Sequence, residues 1–200
     1  MPSLALLCGG KSGRMGQDKA LMPFLGRPLI LRILERLSSE MEDVFISTNH
    51  PAEFAFLNLP VFPDLIPDQG ALGGLFTIFN VAQNPLISAV ACDMPFANPA
   101  LFAYEADLLS MTGADLVIPS TQHGLEPLHA VYRRETCLPV IQSALQAGML
   151  KLTSWLPQVM VRTISPEEVI RFDPHGLAFW NLNTLDDFYQ AEEQARLLEN

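Results

Sequence analysis

The chain has 200 residues, of which 49% are hydrophobic, and its 12 lysines and arginines face 22 aspartates and glutamates, for a net charge of −10 and a pI near 4.7. A chain of this length buries roughly 70% of its unfolded surface and holds a core without disulfide or metal, so a single domain over residues 1–200 is expected. The acidic balance argues against a nucleic-acid partner, which rewards basic patches, and no run of about 18 apolar residues offers a membrane span.

The three cysteines, Cys8, Cys92 and Cys137, are odd in number, far apart and lack C-x-x-C spacing, which fits reduced thiols in a cytoplasmic protein. The N-terminus has no basic region ahead of its short apolar run, so it reads as a strand and not as a signal peptide.

Leu4 to Cys8 is that run, closing on glycines as a buried parallel strand does. Behind Pro28, the residues Leu29, Ile30, Ile33, Leu34 and Leu37 recur at helical spacing, which predicts a helix over 28–39. Strands are expected at 44–47, 61–62, 87–91, 116–119, 128–132 and 159–164. Helices are expected at 71–83, 99–109, 136–147 and 184–198. Strands alternating with helices at this spacing mean βαβ units, hence an α/β fold with a mostly parallel sheet covered by helices on both faces.

In such sheets ligands bind beyond the carboxyl ends of the strands. That rule selects the loop after Cys8, then Thr48 and Asn49, Asp64 and Asp93. The first of these is the richest. Gly9, Gly10, Gly13 and Gly16 are interleaved with Lys11, Arg14 and Lys19, so backbone N–H groups and cations are gathered in one segment of an acidic protein. Such a segment suits phosphate. It is not a P-loop, which would need glycine where Ala5 stands, nor a dinucleotide fingerprint, which would need glycine at Cys8. Each aspartate and asparagine also has a local alternative. Asp93 could cap a following helix; Asp64, Asp68 and Asn49 could serve turns; one of Asn181 and Asn183 could cap the last helix.

The stretch Leu7-Cys8-Gly9-Gly10-Lys11-Ser12-Gly13-Arg14-Met15-Gly16-Gln17-Asp18-Lys19, followed by Gly26-Arg27-Pro28-Leu29, resembles the L-x-G-G-x-S-x-R-M-G-x-D-K signature of nucleotidyltransferases with a Rossmann-like fold. It is most similar to the molybdenum cofactor guanylyltransferases, the MobA family. The resemblance continues through Pro63-Asp64, Gly70-Ala71-Leu72-Gly73-Gly74, Cys92-Asp93-Met94-Pro95, Glu126-Pro127-Leu128 and Asn181-Leu182-Asn183-Thr184. It implies a three-layer Rossmann-like sheet that binds GTP with Mg²⁺ and transfers GMP to the terminal phosphate of molybdopterin, releasing pyrophosphate. Leu7, Cys8, Gly9 and Gly10 match the loop whose backbone meets the nucleotide, with Cys8 standing where alanine is usual. Lys19 matches the nucleotide-binding lysine, Arg14 the arginine facing the triphosphate, and Asp93 the metal aspartate. Asn49 and Asp64 fall at the base and ribose end, and Asn181 and Asn183 at the acceptor and metal side. Arg14, Lys19 and Asp93 are thereby the expected catalytic groups.

Nucleotidyl transfer needs positioned cations and a metal more than a covalent nucleophile, so no Ser-His-Asp or Cys-His device is required. His50, His123, His129 and His175 have no metal spacing, though Glu126 and His129 lie in the segment similar to the acceptor-binding strand. Two rivals stay open. One keeps the chemistry but uses CTP, or a sugar or alditol phosphate; the other is a nucleotide-binding carrier without turnover. A monomer or weak oligomer is expected, with transient contacts to proteins that make or accept the cofactor.

Overall fold

The computed structural model describes residues 1–9, 18–39, 41 and 43–199. Strand β1 (Ser3–Leu7) is buried along its whole length. Its side chains alternate between two cores, Leu4 and Leu6 on one face and Ala5 and Leu7 on the other. A strand apolar on both faces belongs at the centre of a three-layer fold. After a 3₁₀ turn at Lys19–Leu21, β2 (Pro23–Phe24) and β3 (Arg27–Pro28) make a small antiparallel hairpin that the sequence did not announce. Its turn residues Leu25 and Gly26 both have positive φ, 51° and 80°.

Helix α1 (Leu29–Leu37) buries the five apolar residues whose spacing predicts it, with Pro28 at the cap position just ahead. Next come β4 (Val44–Ser47), a 3₁₀ segment at Pro51–Leu57, β5 (Val61–Phe62), α2 (Gly70–Val81) and β6 (Leu86–Ala91). They are followed by α3 (Pro99–Thr112), β7 (Leu116–Thr121), β8 (Gly124–Leu125) and β9 (His129–Arg133). The chain closes with α4 (Arg134–Gln146), β10 (Val161–Ile164), α5 (Pro166–Val169) and α6 (Leu185–Glu199).

The sheet runs β10-β7-β9-β6-β1-β4-β5, with β8 paired to β7 at its end. Every pairing along that path is parallel except those of β9, which is antiparallel to both β6 and β7. The reason is reach: a parallel crossover takes about a dozen residues or more, and the link from Thr121 to His129 is shorter and partly spent on β8. Side chains of α1, α3 and α6 share the core on one face of the sheet, and those of α2 and α4 the core on the other. The fold is therefore α/β in three layers, as the alternation of elements implied. No helix among the described residues is long and apolar enough to cross a membrane.

Register decides where chemistry can gather. Leu7 lies opposite both Ser47 of β4 and Ala91 of β6, so three neighbouring parallel strands end level with one another. The ladder continues one step past them. Cys8 N donates to Ser47 O at 2.8 Å, Cys92 N to Leu7 O at 3.0 Å, and Thr48 N to Phe62 O at 2.9 Å. The loops leaving β1, β4, β5 and β6 thus depart from one edge.

Candidate functional site

At that edge a cavity of about 1080 Å³ is lined by Leu7, Cys8, Gly9, Asp18, Asn49, Asp64 and Gly74, among others. One side-chain group lines it and a second is reached from Asp18 on its wall, and each contains residues the sequence had singled out.

The first is Asn49 with Asp64. Asn49 Nδ2 donates to Asp64 Oδ2 at 2.9 Å, and Asp64 N donates back to Asn49 Oδ1 at 3.0 Å. This reciprocal pair joins the end of β4 to the end of β5. The turn reading of Asp64 fails on its partners, because its carboxylate is held across strands and not by its own loop. The adjoining loop is fastened to α2, where Thr77 Oγ1 accepts from Leu65 N at 2.9 Å and donates to Gly73 O at 3.0 Å. Gly74 is needed for closeness: a Cβ there would sit 3.2 Å from Leu7 Cδ2 and 3.7 Å from Asp64 Oδ1. Thr77 escaped the sequence reading, and Gly74 entered it only within the Gly70–Gly74 stretch of the resemblance, without a role of its own. A mid-helix threonine and a glycine pair within an apolar run were the available signals.

The second group is Lys19, Asp93 and Asn183, from three remote parts of the chain. Lys19 Nζ lies 3.3 Å from Asp93 Oδ2 and 3.3 Å from Asn183 Oδ1. Asp18 starts the turn that presents the lysine, its Oδ1 accepting from Ala20 N at 3.0 Å. Asp93 does not cap α3. That cap is Asn98, whose Oδ1 accepts from Ala100 N and Leu101 N, so the Asp93 carboxylate is left for the site. Burial pushes its pKa above the ordinary carboxylate value, while the Lys19 ammonium pulls the other way. The side chain still keeps 20% of its surface exposed, so a ligand can reach it.

The asparagines near α6 separate in role. Neither caps the helix: Asp187 Oδ2 accepts from Asn183 N and Thr184 N, and Asp187 N donates to Thr184 Oγ1. That frees the Asn183 amide for Lys19. The Asn181 side chain instead donates to Phe179 O at 3.0 Å, so Asn181 stands beside the group and not in it. Gly10, Lys11 and Arg14 lie outside the described residues. Leu7, Cys8 and Gly9 border the cavity. Cys8 offers it backbone, because the residue is 1% exposed and belongs to the α1 core. Burial pushes its thiol pKa up, and the neighbouring Cys92 adds to the effect.

His129, in the segment similar to the acceptor-binding strand, lies inside the core. It is wholly buried, stacked on Phe102 at 3.9 Å, with Nδ1 at 3.1 Å from Glu105 Oε1 and Nε2 accepting from Asn98 N at 3.2 Å. Burial lowers its pKa to about 3 and raises that of Glu105, so burial favours the neutral form of each, and the pair packs within the core. Glu126 is half-buried and accepts from Thr121 Oγ1 at 3.2 Å.

A divalent ion would find little protein to hold it. Among the described residues no three His, Cys, Asp or Glu side chains gather into a metal cage. Asp93 is a hard oxygen donor whose pKa burial raises although Lys19 pulls it down. One carboxylate, with further oxygens from phosphate and water, is the habit of Mg²⁺. The residues present fit that ion.

Residues 4–160 match the family model described as a MobA-like NTP transferase domain. The chain is 34% identical over 190 residues to a probable molybdenum cofactor guanylyltransferase of Pelotomaculum thermopropionicum, covering 95% of this chain and 91% of that one. It is 32% identical over 193 residues to the molybdenum cofactor guanylyltransferase of Desulfosudis oleivorans, covering 94% and 92%. The crystal structure of molybdopterin-guanine dinucleotide biosynthesis protein A from Archaeoglobus fulgidus superimposes with a TM-score of 0.84 at 25% identity, over 97% of this chain and 98% of that one. A three-layer sheet, a cavity at the carboxyl edge of β1 and a family match across most of the strands agree: this chain belongs to the MobA-like NTP transferase family.

Proposed function

We propose that this protein transfers GMP from GTP to the terminal phosphate of molybdopterin, releasing pyrophosphate, with Mg²⁺ as the metal and the cytoplasm as its setting. The observation that carries the reading is the meeting of Lys19, Asp93 and Asn183 at 3.3 Å contacts, with Asp18, next to Lys19 in the chain, on the wall of a cavity large enough for a nucleotide. The curated relatives' names and the loop signature support the choice of substrates.

In the reaction, an oxygen of the acceptor phosphate forms a bond to the α-phosphorus of GTP. The bond from that phosphorus to the bridging oxygen breaks, and its electron pair leaves with pyrophosphate. Charge therefore grows on the leaving oxygens. Lys19 is suited to meet that charge, since its ammonium is held on a short turn by two oxygen partners and not left to swing. Asp93 is the residue to hold Mg²⁺, which when bound supplies charge neutralisation at the phosphates. Gly10 and Arg14 complete the triphosphate loop by their place in the motif. The backbone at Leu7, Cys8 and Gly9 and the Asn49–Asp64 pair receive the base and ribose, and Asn181 and Asn183 border the acceptor.

The test supplies GTP, Mg²⁺ and molybdopterin and measures pyrophosphate together with the guanylated pterin. Parallel reactions use CTP, and sugar or alditol phosphates in place of the pterin. Product with GTP and pterin is expected. Turnover confined to CTP or to a sugar phosphate would overturn the substrates, and GTP binding without turnover on any pair would make the protein a carrier.

A further inference from the structure

Asp93 sits at the start of a loop that does not become helix until Asn98, and a carboxylate on a free loop could not keep a fixed distance from Lys19. The loop is not free. Its backbone is grasped from several sides: Leu182 N donates to Asp93 O at 3.0 Å, Ala97 N closes onto Met94 O at 3.2 Å, and His129 Nε2 takes Asn98 N. Two arginines one helical turn apart on α1 take the outward carbonyls. Arg32 Nε donates to Pro95 O at 3.1 Å and Arg36 Nε to Ala97 O at 3.2 Å.

Arg32 does more than hold one carbonyl. Its guanidinium carbon lies 5.6 Å from the ring centre of Phe96, in the Asp93 loop, and 5.3 Å from that of Phe24, in the hairpin that follows Lys19. Both rings are buried, at 4% and 2% exposure. One planar cation thus contacts both chain segments whose side chains meet as Lys19 and Asp93. The chemistry suits guanidinium and not ammonium: a flat delocalised cation lies against aromatic faces while its Nε–H donates in plane to a carbonyl.

We infer that Arg32 is a positioning residue for nucleotidyl transfer, a brace that sets the spacing of the Lys19 ammonium and the Asp93 carboxylate. This rests on the reading that those two groups serve the triphosphate and its metal. These contacts of Arg32 fall on the hairpin and the loop, and through them it bears on Lys19 and Asp93. Residues that orient a metal ligand in this indirect way are typically worth about ten- to a hundred-fold in metal affinity or activity.

The full-length protein is compared with Arg32→Met and Arg32→Lys. Two measurements are made: the Mg²⁺ dependence of GTP-driven pyrophosphate release, and Mn²⁺ binding by electron paramagnetic resonance with a non-hydrolysable GTP analogue. Arg32→Met is expected to raise the half-saturating metal concentration about ten-fold and lower kcat by a similar factor. KM for GTP at saturating metal should move about two-fold or less, because the Asn49–Asp64 side is untouched. Arg32→Lys should recover only a small part of the loss. Metal dependence and Mn²⁺ affinity equal to the parent, or full recovery in Arg32→Lys, would overturn the inference. Should Arg32→Met fail to fold by circular dichroism, Arg32→Lys and Phe96→Leu, which removes one of the two rings, decide on the same readouts. Asp93→Asn separates the two claims. If it leaves metal dependence unchanged, the underlying reading fails; if it abolishes metal binding while the Arg32 variants behave as the parent, only the brace fails.

Discussion

Asp93 carries a conflict between stability and chemistry that a single substitution exposes. Burial raises its carboxyl pKa, so the folded chain holds the Asp93 proton more tightly than the unfolded chain does. The sign follows from linkage: its stabilising contribution is fully present below the unfolded value near pH 4 and is lost as pH rises through the raised folded value. At pH 7 the charged form is therefore a cost to the fold, only partly offset by Lys19. Asp93→Asn removes that titration. Relative to the parent it should melt higher at pH 7 than at pH 4 in calorimetry, while turnover falls about 100-fold or more for loss of a metal-binding carboxylate. A variant that gains nothing at pH 7 over pH 4 would contradict this account. Residues such as Asp93 and Asp64 were legible from sequence because they sit where strands end. Their partners were not: nothing in the local sequence says that Asn49 and Asp64 bond reciprocally, or that Asn183 turns to Lys19 instead of capping α6.

At the scale of elements, α2 shows how closely a helix can be packed onto a site. Gly73 and Gly74 are adjacent, yet their roles differ. A Cβ on Gly73 would fall 2.7 Å from Gln69 Cβ and 3.3 Å from Ile66 O, too close for either neighbour to yield by rotating a flexible tip. A Cβ on Gly74 would press on Leu7 and face Asp64 at the cavity wall. Gly73→Ala should therefore lower stability by about 1–3 kcal/mol through overpacking, read as a shift in urea midpoint. Gly74→Ala should act mainly on nucleotide affinity, read by titration with GTP. Equal effects of both on stability, with none on binding, would show that α2 is only scaffold. Most elements were readable because their apolar runs are long and buried. The β2–β3 hairpin was not, since each strand has two residues and Leu25 adopts a positive φ that leucine does not advertise. The reversal of β9 was readable in principle, from the short link after β7, but a strand's pattern of side chains says nothing about its direction.

For the whole molecule, the C-terminal helix closes on the N-terminal third. Glu192 Oε1 accepts from Leu25 N in the hairpin turn, and the Phe188 ring meets Phe24 edge-on at 5.4 Å. The family resemblance made this arrangement foreseeable only as a motif near the end of the chain; the contacts themselves join residues that no local pattern connects. The triad of Lys19, Asp93 and Asn183 joins positions separated by 74 and 164 residues. Long loops must close before such contacts form, and closure entropy delays them relative to local structure. The core around Trp155, which is wholly buried, draws on residues between Ala5 and Val161, whereas the site is complete only when Asn183 arrives. In refolding from urea of a Trp180→Phe variant, which removes the tryptophan stacked on Phe96 and leaves Trp155 as the reporter, fluorescence should recover before GTP binding does, and Asp93→Asn should leave the fluorescence phase unchanged. Simultaneous recovery of both signals would mean that the site forms with the core. Time, on this view, is built into the placement of the three groups: the newly made chain is a folded protein before it is a catalyst.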